Sequence, residues 1–158
     1  MILRHATNDD ANTFESFDLG DPAEPWLGEV IEIVDGLLAW RAAPDGAGED
    51  RQVDVIDDGE LLAVAAHVRL VGSDGSPMPE HRYLMVTAVR ADQRRNGLAR
   101  HLVESVLADL ARQNVKTVEW LVHPRNLPSI TFSRTTFPEA QETYPPDDKP
   151  YVSFALDL

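Results

Sequence analysis

The stretch from Arg82 to Gln113 constrains the fold more than any other part of the chain. Arg82 to Val89 reads as a strand and runs into a turn that carries Arg90, Arg94 and Arg95. Gly97 then opens a helix on which Leu98, Leu102, Val103, Val106, Leu107 and Leu110 recur at helical spacing. So wide an apolar stripe must be buried, and a strand feeding straight into the helix makes a sheet its partner. The turn has a chemical consequence as well. Backbone N–H groups at a helix N-terminus lack intrahelical partners and sit at the positive end of the helix dipole, so this segment suits a phosphate. Its spacing is neither the Walker pattern nor the dinucleotide fingerprint, because Lys-Ser/Thr and the further glycines are absent.

Around this segment the chain alternates strand and helix patterns. Residues 1 to 7 read as a short strand, and Asn8, Asp9 and Asp10 as the cap of a brief helix through Phe14 and Phe17. Asp21, Pro22 and Glu24 form a cap, first-position and third-position pattern for a helix to about Trp40, with Trp26, Leu27, Val30, Ile31, Val34, Leu37 and Leu38 on one stripe. Trp26 and Trp40 are expected in the core or a groove wall. Pro44 to Asp50 is a loop by composition. Val53 to Asp57 and Glu60 to Val71 read as two strands joined at Asp58-Gly59, followed by a loop from Gly72 to Glu80. After the glycine-opened helix come a strand at Lys116 to His123, a short helix at 126 to 135, and a closing strand at Tyr151 to Leu158. The expectation is one α/β domain over 1–158, a sheet with helices on its faces.

Charge narrows the function. The chain carries 27 acidic and 14 basic residues, a formal charge of −13, which argues against nucleic acid as a partner. With no cysteine, disulfides, zinc–cysteine sites and cysteine nucleophiles are excluded. Neither a signal-peptide pattern nor an 18-residue apolar run is visible, so no membrane partner and a cytoplasmic location are expected. The acid is uneven: 18 acidic and 4 basic residues in 1–80, against 9 and 10 in 81–158. Arg90, Arg94, Arg95 and Arg100, opposed locally by Asp92 alone, are therefore a basic island in an acidic protein. Paired carboxylates at Asp57-Asp58 and Asp147-Asp148 are explained by turn chemistry, and no metal is expected.

Arg94-Arg95-Asn96-Gly97-Leu98-Ala99 resembles the Arg/Gln-x-x-Gly-x-Gly/Ala signature of the GCN5-related N-acetyltransferase (GNAT) superfamily. Asn126-Leu127-Pro128-Ser129-Ile130, after the strand ending Trp120-Leu121-Val122-His123, resembles that family's Asn-x-x-Ala/Ser-Ile. The resemblance implies a mixed, mostly antiparallel sheet of about six to seven strands with helices on both faces. It also implies acetyl-CoA as co-substrate. The amides and side chains of Arg94, Arg95, Asn96, Gly97, Leu98, Ala99 and Arg100 would hold its pyrophosphate. Thr87, Ala88 and Val89 would pair with the pantetheine arm, one N–H polarising the thioester carbonyl, and Asn126 would hydrogen-bond nearby while capping its helix.

The chain departs from the family where chemistry is done. Ser133 stands where many members carry a tyrosine that protonates the leaving thiolate, and a serine hydroxyl is a far weaker acid. Tyr144 or Tyr151 would have to reach in instead. Leu121 replaces a glutamate of some relatives, which leaves its same-face neighbours Glu119 and His123 as base candidates. Glu119 would act through water; His123, beside Pro124, also reads as a structural histidine. His81 and Glu80 are weaker candidates. The catalytic set is thus Glu119, His123 and Ser133. The expected activity is acetyl transfer to a primary amine by direct attack in a ternary complex. The alternative is a CoA-binding regulatory module with little or no activity. Because residues 8–42 hold nine acids against Arg41, the acceptor is expected to be a cationic small-molecule amine; a homodimer is possible.

Overall fold

The computed structural model describes residues 1–10, 13–14, 17–21, 24–37, 51–144 and 151–158. Seven strands, β1 (Ile2–His5), β2 (Gln52–Asp57), β3 (Leu61–Val71), β4 (Pro77–Val89), β5 (Thr117–Val122), β6 (Gln141–Thr143) and β7 (Val152–Asp157), form one sheet in the order β1-β2-β3-β4-β5-β7-β6. Every neighbouring pair is antiparallel except β4 and β5. Among the described residues, α1 (Pro25–Gly36), α2 (Leu98–Arg112) and α3 (Leu127–Thr136) accompany it. One core lies on the α2/α3 face, where Leu102, Val106 and Leu110 meet Ala63, Ala65, Val118, Trp120 and Phe154. The other lies on the α1 face, where Leu27, Val34 and Leu37 meet Val53, Val55, Val64, Ala66, Val86 and Ala88. With both faces covered, β3 is a nearly continuous apolar run, and β2 is buried from Val53 to Ile56.

Several expectations shift. Helix α1 starts at Pro25 with Glu24 as its N-cap. A helix begun at Pro22 would place Pro25 where the first N–H must bond back to the cap carbonyl, and proline has none. Pro22, Trp40, the loop from Pro44 to Asp50 and Asp147-Asp148 lie outside the described residues. The expected brief helix near the N-terminus is a single 3-10 turn at Asn8–Asp10, with Thr13 and Phe14 helical beyond it. The loop expected from Gly72 to Glu80 is a tight turn closed by Gly72 N–H on Ser76 O (2.8 Å), and β4 already begins at Pro77. Pro77 and Pro79 are tolerated because β5 reaches β4 only from His81 onward, so this end of β4 is an edge. The short β6 at Gln141–Thr143 was not expected at all.

Two irregular features organise the sheet. On β4, Val86 pairs with Ala66 but Leu84 with His67, which makes Met85 an extra, bulged residue. The bulge changes faces: Leu84 enters the α2 core, whereas Val86 and Ala88 enter the α1 core. The parallel β4–β5 ladder is short, covering only His81–Tyr83 against Thr117–Glu119.

Polar groups are buried at two points. Asp10 accepts two bonds from the Arg4 guanidinium (2.7 and 2.8 Å) and one from Thr7 N–H (2.7 Å), and Arg4 also holds Asp57. Asp57 in turn caps the hairpin turn through Gly59 N–H. Deeper, Asp54 accepts from His5 (2.6 Å) and lies 3.6 Å from His67 Nε2, too long for a hydrogen bond. Burial opposes ionisation of Asp54, but the two histidines outweigh it and hold its carboxyl below the usual range. On the α3 side, Trp120 stacks on Phe154 (5.5 Å) and meets Phe137 edge-on (5.7 Å). Its indole N–H donates to Ser133 Oγ (3.0 Å) inside the core.

Arg4 holds the Asp10 carboxyl at about 2, below its unfolded value near 4. The group therefore stabilises the fold by about 2 kcal/mol above pH 4, and this is lost as the pH falls through 2. Urea midpoints should separate wild type from Asp10→Asn clearly at pH 7 and bring them together near pH 2. Ser133→Ala should strand the indole N–H and cost about 1–3 kcal/mol, read as a lower thermal midpoint.

Candidate active site

The turn after β4 is built so that its amides stay free. Arg90 N–H returns to Leu62 O and Ala91 N–H to Asp18 O, and Gln93 closes a 3-10 turn on Arg90. Beyond it, Arg95 (φ 67°) and Gly97 (φ 76°) both adopt left-handed backbone. The first backbone bond of α2 is His101 N–H to Gly97 O (3.0 Å); among the described residues no amide from Arg94 to Arg100 donates to another group. A run of unpaired N–H groups around two left-handed residues, at the positive end of a 15-residue helix, has the geometry of an anion cradle. A Cβ on Gly97 would meet nothing within 4 Å, so the space above it is open.

The four arginines of the island are not equivalent. Arg90 is spent on Asp92 (2.7 Å) and Glu60 (2.5 Å), which hold its guanidinium charged. Arg94, expected at the phosphates, donates instead to Leu19 O (2.5 Å) and Val89 O (3.4 Å), tying segment 17–20 across the end of β4. Gly20 fits this crossing because its backbone is left-handed (φ 89°). Arg100 pairs with Glu104 on the surface of α2. Arg95 alone of the four makes no hydrogen bond or ion pair among the described residues.

Next to the cradle, the sheet opens. The β4–β5 ladder stops at Tyr83 and Glu119, although β4 runs on through Leu84–Val89 and β5 through Trp120–Val122. Alternate peptides of Leu84–Val89 turn away from β3 and into the opening, where an extended ligand can pair with them. The opening thus contains Thr87, Ala88 and Val89. Thr87 Oγ1 is buried with no hydrogen-bond partner. Asn126 is 8% exposed; its Oδ1 accepts Ser129 N–H (3.2 Å) as the N-cap of α3, which leaves its amide NH2 free to donate.

On the α1 face, the strands place residues in rows. Tyr83, Glu119 and Ala155 form one, Leu121 and Ser153 the next, and His123 stands beside Tyr151. The small Ala155 and Ser153 keep the floor of this trough low, and Leu121 is 45% exposed in it. Tyr151 Oη donates to Glu29 Oε2 (3.0 Å), joining β7 to α1. Burial, with Tyr151 nearby, pushes the Tyr83 phenol up. His123 Nδ1 accepts Arg125 N–H (3.2 Å).

Of the three expected catalytic residues, Glu119 and His123 therefore share the trough and Ser133 does not: its hydroxyl is 2% exposed and occupied by Trp120. Tyr144 is held at the outer edge by Glu142 (2.6 Å) and Arg134 (3.1 Å), whereas Tyr151 lies in the trough. Sequence reasoning missed Tyr83, and it counted Glu29 among the acids of 8–42 without its contact to Tyr151. Tyr83 is placed by parallel register with Glu119, and Glu29 by a contact 122 residues away; neither leaves a local signal. No group of three or more His, Asp or Glu among the described residues could hold a metal ion.

Residues 14–137 match the model of the acetyltransferase (GNAT) family. No curated protein sequence matches the chain. Among solved structures, ribosomal-protein-alanine N-acetyltransferase from Brucella melitensis superposes with TM-score 0.73 at 16% identity, covering 100% of both chains. PaiA N-acetyltransferase from Thermoplasma acidophilum, in complex with coenzyme A, gives 0.73 at 10% identity over 99% of this chain and 98% of that one. The GNAT domain of S. lividans PAT gives 0.71 at 18% identity over 99% and 89%. At such identities the structures report the fold, and the family model, spanning most of the chain, reports the lineage. The chain belongs to the GNAT family and is an acetyl-CoA-dependent N-acetyltransferase.

Proposed function

We propose that this chain acetylates a primary amine of a cationic small molecule by direct attack within a ternary complex. The observation that carries the reading is the junction of the amide cradle at Arg94–Arg100 with the opening between Leu84–Val89 and Trp120–Val122. A diphosphate on the cradle directs its attached arm into the opening, where β4 peptides pair with it as a strand would. Arg95 and the amides hold the diphosphate; the Asn126 amide donates to the arm. One N–H of Leu84–Val89 meets the thioester oxygen and stabilises the charge that develops there.

The amine arrives from the trough on the α1 face. Its nitrogen forms the C–N bond, the C–S bond breaks, the excess proton on nitrogen leaves through water towards Glu119, and the thiolate takes a proton from solvent or from a trough hydroxyl. The cationic acceptor is favoured by the charge of α1: Glu24, Glu29, Glu32 and Asp35 are all exposed, and none meets a Lys or Arg among the described residues.

Calorimetry with acetyl-CoA should show binding that Gly97→Asp abolishes, because the new carboxylate occupies the anion position while folding loses only about 1 kcal/mol at the left-handed residue. Arg95→Gln should weaken acetyl-CoA several-fold in a salt-dependent way without lowering the thermal midpoint. Arg94→Gln should lower the midpoint, since it releases segment 17–20. In a thiol-release assay across amines, polyamines and amino sugars should outrun acidic amines such as aspartate; the reverse order overturns the acceptor reading. Tight acetyl-CoA binding with no turnover of any amine would instead favour a CoA-binding module.

A further inference from the structure

We infer that Glu29 and Tyr151 form a clamp for an ammonium group the acceptor keeps, so the preferred acceptor is an aliphatic diamine. The inference rests on the acetyl-transfer reading and names the part of the acceptor that the trough reads. The Tyr151 phenol proton is committed to Glu29 Oε2 at 3.0 Å, so the lone pairs that Oη turns outward can only accept. A carboxylate and an accepting phenol oxygen side by side favour an N–H⁺ donor and repel an anion. Glu29 has no Lys or Arg partner among the described residues, so a bound cation would displace no internal ion pair. The walls agree: Tyr151 meets the His123 ring edge-on (5.8 Å, 86°), leaving aromatic surface beside the carboxylate.

The clamped group is not the attacking one. Carboxylates in water are weaker bases than aliphatic amines by about six pKa units, so an exposed glutamate holds an ammonium without deprotonating it. Attack requires a neutral amine, and this must be a second nitrogen on the same molecule. Tyr151 also lies beyond β5 from the β4 opening, one strand removed from the peptides that face the thioester. The acceptor therefore has to present a second nitrogen at the opening while the first is clamped, and a monoamine has none.

The test compares 1,4-diaminobutane with n-butylamine. Wild type should favour the diamine in kcat/KM by about tenfold or more, the size of one charge-assisted hydrogen bond. Glu29→Gln should bring that ratio toward one, chiefly through KM. Tyr151→Phe should lower it part of the way, and the double variant should fall no further than Glu29→Gln. An unchanged ratio in Glu29→Gln, or equal loss on both amines, overturns the clamp. Calorimetry of 1,4-diaminobutane on the CoA-saturated protein separates the two readings. Binding lost in Glu29→Gln, without turnover of any amine, supports the clamp and overturns acetyl transfer. Turnover of other amines with no diamine binding overturns the clamp and leaves acetyl transfer standing. Unaltered acetyl-CoA binding by the variant serves as the control for folding.

Discussion

The parting of β4 from β5 is the constraint on which the rest of this structure depends. Two neighbouring strands in one sheet ordinarily satisfy each other's backbone groups, and leaving a stretch unpaired costs stability unless something else bonds to it. Here the cost is imposed by the Met85 bulge, which bends β4 and turns Val86 and Ala88 toward α1 just beyond the last laddered pair, Tyr83 and Glu119. Both cores then depend on the same residue, since Leu84 before it and Val86 after it anchor opposite faces. The far end of β4 cannot drift, because Arg94 and the Ala91–Asp18 bond strap segment 17–20 over it. A rigid gap beside a free-amide cradle is what an extended, phosphate-headed ligand requires.

Charge is partitioned differently from its distribution along the chain. The basic island looks like four phosphate ligands, yet Arg90, Arg94 and Arg100 are engaged by Asp92, by backbone carbonyls and by Glu104. On the proposed reading, the affinity for an anion rests on backbone dipoles together with Arg95. The acidic half is divided as well. Asp10, Asp54 and Asp57 are engaged by Arg4 and His5 in the sheet, whereas the acids of α1 stay exposed.

Much of the fold was legible because its signals are local. Asp58-Gly59 marked the β2–β3 hairpin, Gly97 the start of α2 within one residue, and the apolar stripe of that helix is its buried face. The reading failed where the deciding interaction is distant or where two local signals compete. Pro22 was read as the first helical position, but the helix starts at Pro25. Pro77 and Pro79 read as loop because their place on an edge is a property of β5. Ser133 was read by its position in a family pattern, while its neighbour Trp120, 13 residues away, takes its oxygen. In the same way the cradle was legible and the trough was not: the cradle is one continuous segment, but Glu29, Tyr83, Glu119 and Tyr151 come from four elements.

An acidic trough poses a problem for amine chemistry that bears on the acceptor. Negative charge stabilises ammonium, so the field that gathers a cationic substrate also raises the pKa of the amine that must become neutral before it attacks. A monoamine would be bound well and activated badly. In a diamine the two effects separate, because the ammonium held against Glu29 is a positive neighbour to the second nitrogen and lowers its pKa. The carboxylates then act on the charge that stays, and the nitrogen at the β4 opening is easier to deprotonate. Acid on α1 and an accepting Tyr151 are compatible with direct attack when the substrate brings its own compensating charge, and that is the physical reason for assigning this site a doubly basic acceptor.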